Sequence, residues 1–152
     1  PEYASPPYLP PERFQQYVTR YDTPIVRAIQ DGGGFARIHS HGRLDVILEH
    51  IAATGCVGLD PVEPPPQGDV TLAEARRRVG GQMVLFGNLE ASDLENLPAE
   101  AFGEKVRTAI AEGTAGQGRG FVLMPSASPY GRVLSDRTRR NYHVMLEEIE
   151  RL

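Results

Sequence analysis

The sequence holds a single cysteine, Cys56. One thiol excludes an internal disulfide and any Cys-x-x-Cys metal knuckle, and its place at the head of an apolar run predicts a buried side chain. No apolar stretch approaches the ~20 residues that cross a bilayer. The opening Pro1-Glu2-Tyr3-Ala4-Ser5-Pro6-Pro7 lacks the basic and apolar regions of a secretory signal. No membrane partner is therefore expected, and a cytoplasmic location is the default. Excess positive charge is missing too: 16 Lys and Arg stand against 20 Asp and Glu. The basic residues are scattered along helical segments, which argues against nucleic acid as a partner. Their densest cluster, Arg76-Arg77-Arg78, reads as a solvated helix face. An initial Met is also lacking, so the chain is expected to be a piece of something longer or a processed product.

What is present is the composition of one globular domain, 40% apolar and 24% charged over 152 residues. The first ten residues contain four prolines and read as a loop. Phe14, Tyr17, Val18 and Tyr21 recur at helical spacing, so residues 11–31 read as a helix, with a break or kink at Pro24. Gly32-Gly33-Gly34 ends it. Those glycines follow a helix and precede a strand, the wrong order for a phosphate-binding loop, so a nucleotide site is excluded.

From residue 35 to 152 four strand-and-helix units follow. The segment Phe35 to Gly42 holds the first strand, and Leu44, Ile47, Leu48 and Ile51 a helical stripe. Cys56 to Leu59 is the second strand, and Thr71 with Glu74 is a capping box that opens a helix through Arg78. Met83 to Phe86 is the third strand, Gly87 to Asn96 a loop or short turn, and Pro98 starts a longer helix carrying Phe102, Val106 and Ile110. Phe121 to Met124 is the fourth strand. Ser135 or Asp136 caps a last helix with Tyr142, Met145, Leu146 and Ile149 facing inward. Cys56, Val57, Leu59, Val84, Phe86, Val122 and Leu123 are the expected strand core. Such alternation predicts an α/β domain with a parallel sheet and right-handed crossovers. Four strands are half of a (β/α)8 barrel, which usually takes about 250 residues. An open sheet of the flavodoxin type is the alternative, and periodicity does not separate the two.

Candidate chemistry gathers at the strand ends, where parallel α/β proteins place their sites. Alternation puts Arg37, His39 and His41 on one face. The two imidazoles, with Glu63 after the next strand, form a candidate ligand set for zinc or another divalent metal, and Glu2 is a further candidate. Without metal, Arg37 would pair with a substrate carboxylate while His39 or His41 donates a proton. Arg37 is equally placed to be a buried partner of Glu63 or Asp60. Asn88 and Glu90 after the third strand, and Ser126 and Tyr130 in the last loop, are candidate substrate-binding residues.

Together, His39-Ser40-His41-Gly42, Gly58-Leu59-Asp60-Pro61 leading to Glu63, Gly68-Asp69, Phe86-Gly87-Asn88-Leu89 and Gly120-Phe121-Val122-Leu123 resemble the C-terminal half of the uroporphyrinogen decarboxylase superfamily. The superfamily also holds cobamide-dependent methyltransferases, and the resemblance implies the C-terminal half of a (β/α)8 barrel. Where the decarboxylases carry Gly-His-Gly in the last loop, this chain has Ser126-Ala127-Ser128. Where the zinc methyltransferases carry His-x-Cys and a later Cys, it has His39-x-His41 and Ala127.

The resemblance and the residues together give three expectations. The first is metal-assisted methyl transfer to a thiol or related substrate, with a corrinoid-type methyl donor on a partner. The second is a carboxy-lyase acting on a tetrapyrrole-like or other carboxylated substrate. The third is a non-catalytic half-barrel. A small-molecule substrate is expected in the first two, and the sheet is expected to be completed by a missing N-terminal half or a homodimer partner.

Overall fold

The computed structural model describes residues 1–152. Helix α1 (Pro11–Phe14) runs through a wide π turn (Gln15–Thr19) into α2 (Arg20–Asp31). Four units follow: β1 (Arg37–His39), a 3-10 turn (Asp45–Ile47) and α3 (Leu48–Ala52); β2 (Gly58–Val62) and α4 (Leu72–Val79); β3 (Val84–Leu89), α5 (Ala91–Asn96) and α6 (Ala99–Gly113); β4 (Phe121–Pro125) and α7 (Asp136–Glu150). The sheet is parallel throughout in the order β1-β2-β3-β4. This is an α/β fold of (β/α) units laid out as part of a TIM-type barrel.

Pro24 does not break its helix: α2 passes straight through it. A proline ring crowds the carbonyl four residues back, and here the turn just upstream is widened to a π turn instead. Thr71 caps α4 by accepting the Glu74 amide at 3.1 Å, and Ser135 caps α7 by accepting that of Thr138 at 3.1 Å.

Two elements depart from the sequence pattern. Strand β2 lies two to three residues later than the apolar run Cys56 to Leu59, and β3 continues through Gly87-Asn88 into a helix, where a loop was expected. Gly87, at φ +133°, is not a turn residue. A Cβ on it would lie 3.2 Å from the Val62 carbonyl oxygen, so glycine there lets β2 and β3 run close together.

The core lies on one face of the sheet. Ile38, Leu59 and Leu85 are buried in one cluster with Ile47, Leu48, Ile51, Phe102 and Val106. Cys56 is buried as expected, and burial pushes its thiol above the ordinary range. Val57, Val84, Phe86 and Leu123 are only half-buried, and Val122 is exposed. Val84, Phe86 and Val122 alternate with the core positions of their strands and so face the other side, the interior of a full barrel, which this chain does not cover. Ile149 is exposed and Met145 half-buried on α7.

The arginine cluster is not one solvated face. Arg76 is buried and donates to the carbonyls of Ala115 and Gly120, pinning the glycine-rich turn before β4. Arg78 bridges Asp45 and Glu49 across to α3. Arg77 alone stays in solvent. No helix is long and apolar enough to cross a membrane.

Deleting a core side chain leaves a cavity, so Ile51→Ala should lose roughly 2–5 kcal/mol in denaturant unfolding. Val122→Ala should stay within about 0.5 kcal/mol. Equal losses would show that the two faces of the sheet are assigned wrongly.

Candidate functional site

The carboxyl ends of β1 and β2 build the site. Parallel register sets His39 beside Asp60. Asp60 is 3% exposed, and its Oδ2 accepts from His39 Nδ1 at 3.0 Å and lies 3.5 Å from the Arg37 guanidinium. Arg37 also lies over the Phe86 ring, 4.9 Å from its centroid. Two residues on, His41 Nδ1 donates to Glu63 Oε1 at 2.8 Å, while Glu63 Oε2 accepts the Gly42 amide at 2.6 Å. Both Glu63 oxygens are thus engaged. Gly68 secures that loop, because a Cβ there would sit 2.1 Å from the Glu63 carbonyl oxygen.

These bonds fix the imidazoles. Each ring sets its Nδ1 against a carboxylate, so in its neutral form each Nε2 would present a lone pair. The two Nε2 atoms face each other at 3.1 Å. Two neutral rings would set lone pairs against each other at that distance, and either a proton shared between the nitrogens or a metal cation between them relieves the repulsion. Nitrogens bound to one tetrahedral zinc at about 2.0–2.1 Å would stand roughly 3.3 Å apart, close to the spacing present. Glu2 brings a carboxylate oxygen to the pair, all three ligand atoms lying within 4.8 Å of one another. His39 is half open to solvent, which leaves room for a further ligand.

The N-terminal loop, legible only as irregular in the sequence, straps His41 in place. The His41 amide donates to the Glu2 carbonyl at 2.8 Å, Ser5 Oγ donates to the His41 carbonyl at 2.6 Å, and Tyr3 stacks on the His41 ring with centroids 5.7 Å apart. Nothing in the local pattern pointed to Tyr3, Ser5 or Tyr8, because a tertiary path brings them in.

A cleft of about 400 Å³ extends from His41, and Glu63, Glu90, Ser126 and Tyr130 line it together. Asn88 does not reach it and lines a neighbouring cavity of about 220 Å³, which Glu90 also borders. Arg37 lies outside both. Ser126 donates to Glu90 Oε1 at a long 3.4 Å, and Glu90 Oε2 is buried with no partner. Burial first, and the Glu63 charge second, push the Glu90 carboxyl above the usual carboxylate range.

With this geometry established, the chain can be set beside known proteins. The family model "Uroporphyrinogen decarboxylase" matches residues 2–151, and the chain belongs to that family. A uroporphyrinogen decarboxylase of Photobacterium profundum is 34% identical over 126 residues, covering 76% of this chain and 31% of the relative. One from Aeromonas salmonicida is 41% identical over 78 residues, covering 50% and 20%. The chain therefore spans a third or less of the length of these two curated relatives. Among solved structures, a methyltransferase from Methanosarcina mazei superposes with a TM-score of 0.73 over 95% of this chain and 40% of the other, at 18% identity. That likeness speaks for the fold alone.

Because the Glu90 carboxyl is raised in the fold, its protonated form supports folding at low pH, and that support is lost as pH rises through the raised value. Glu90→Gln removes the loss. Its melting temperature relative to the parent should therefore climb between about pH 4 and pH 8. A constant difference across that span would show that Glu90 does not ionise against the fold.

Proposed function

We propose that this chain carries the metal-binding half of a barrel that moves a methyl group onto a thiol or related substrate. The observation that carries the reading is the pair of Nε2 atoms 3.1 Å apart, each freed by a carboxylate on its Nδ1. His39, His41 and Glu2 would hold zinc or another divalent ion, while Asp60 and Glu63 orient the imidazoles from outside. The ion would supply Lewis acidity that favours a thiolate at neutral pH. The chain's own share is to present the lone pairs, hold the rings rigid and leave one side of His39 open for the thiol. The methyl donor on this reading is of corrinoid type, carried by a partner.

Decarboxylation is the second reading, favoured by the names of the sequence relatives. Arg37, half-exposed on the inner face, has a guanidinium available for a substrate carboxylate, with His39 as the neighbouring proton donor. In either case the open inner face calls for a further half-barrel or a second copy to cover Phe35 and Val122.

Two tests follow. Titration with zinc should load one ion per chain, and His39→Ala or His41→Ala should abolish it, while Asp60→Asn should weaken it about 10- to 100-fold. Zinc uptake indifferent to both histidines would reject the metal reading. In sedimentation at micromolar concentration the isolated chain should self-associate, and a compact, stable monomer would show that the inner face needs no cover.

A further inference from the structure

Beyond the histidines the cleft changes character. Tyr3, Tyr8 and Tyr130 stand along its wall, 61%, 77% and 89% exposed, Tyr3 with one face on the His41 ring. Tyr3 and Tyr8 meet at a corner, ring centroids 6.5 Å apart and planes at 75°. The acidic side of the cleft is Glu63 and Glu90, and Glu90 keeps one oxygen without a partner. Against these two carboxylates stands one guanidinium, Arg43, which lies exposed to solvent at the rim.

Aromatic faces attract cations through the ring quadrupole, and an unpaired carboxylate of low exposure needs a positive partner. A small anion would meet repulsion from Glu63 and Glu90, with only Arg43, exposed at the rim, to offset it. A neutral apolar ligand would satisfy the tyrosines and leave Glu90 unpaired. A bare, strongly hydrated metal ion would gain little from aromatic faces. An ammonium clothed in alkyl groups suits both surfaces, its methyl shell against the rings and its charge against the carboxylate.

We propose that this cleft binds the alkylated ammonium group of a small molecule, with Tyr3, Tyr8 and Tyr130 around the alkyl shell and Glu90 as its counter-charge. This gives the small-molecule ligand of the proposed transfer a chemical class. It rests on that reading for what is done to the ligand and not for the binding itself.

The test is calorimetry on the full chain with a chelator present, using choline, its neutral carbon isostere 3,3-dimethylbutan-1-ol, and acetate. Choline should bind about tenfold more tightly than the isostere, and acetate not at all. Glu90→Gln and Tyr130→Ala should each weaken choline about fivefold, whereas Tyr8→Phe, which keeps the ring face, should leave it unchanged. Equal affinity for choline and the isostere, binding of acetate, or no choline binding at millimolar concentration would overturn the proposal. Zinc titration of the same preparation separates the two inferences. Zinc uptake at His39 and His41 without choline binding removes only the ammonium site, and choline binding without zinc uptake removes only the metal reading.

Discussion

The site depends on two hydrogen bonds, from His39 to Asp60 and from His41 to Glu63. An imidazole on a strand end is free to swivel and to exchange its proton between nitrogens. A buried carboxylate on Nδ1 ends both freedoms. Here it happens twice, two residues apart, so two Nε2 atoms point into the same small space. The adjoining parts can be understood as what keeps those bonds short. Parallel register places Asp60 beside His39, the Gly68 turn brings Glu63 back beneath His41, and the N-terminal loop strap prevents His41 from turning away.

The same arrangement explains the division of labour among acidic residues. Asp60 and Glu63 are buried and engaged with histidines, although Asp60 Oδ1 has no partner and Glu63 borders the cleft. Glu90, one strand further on, has a weak contact with Ser126 and an oxygen to spare. Of the four carboxylates, counting Glu2, Asp60 and Glu63 orient the histidines, Glu2 lies beside them, and Glu63 and Glu90 border the cleft.

Much of this was legible in the sequence, for reasons that can be named. Strand alternation places Arg37 and His39 on one face, whereas His41 lies past the end of β1 and is held by Glu63 and the N-terminal loop, and the capping residues Thr71 and Ser135 act within a single turn. The alternation of strands and helices gave the parallel sheet. What local pattern could not reveal was anything set by contact across the fold. Gly87-Asn88 looks like a turn but is a strand in close approach to Val62. Val122 and Phe86 look like core but face the uncovered side. Arg76 looks like surface but holds a distant turn. Glu63 looks like a metal ligand until its second oxygen is found on the Gly42 amide. Tyr3 and Tyr8 lie in a proline-rich loop whose course no periodicity describes.

The central claim is that both histidines are held with the proton on Nδ1 and the lone pair on Nε2. Nitrogen-15 spectroscopy of the imidazole side chains reads this directly at neutral pH. The account predicts that His39 and His41 each show a protonated Nδ1 and an unprotonated Nε2, with the Nε2 signals shifting when zinc is added. Proton-bearing Nε2 atoms on both rings, unmoved by zinc, would contradict it.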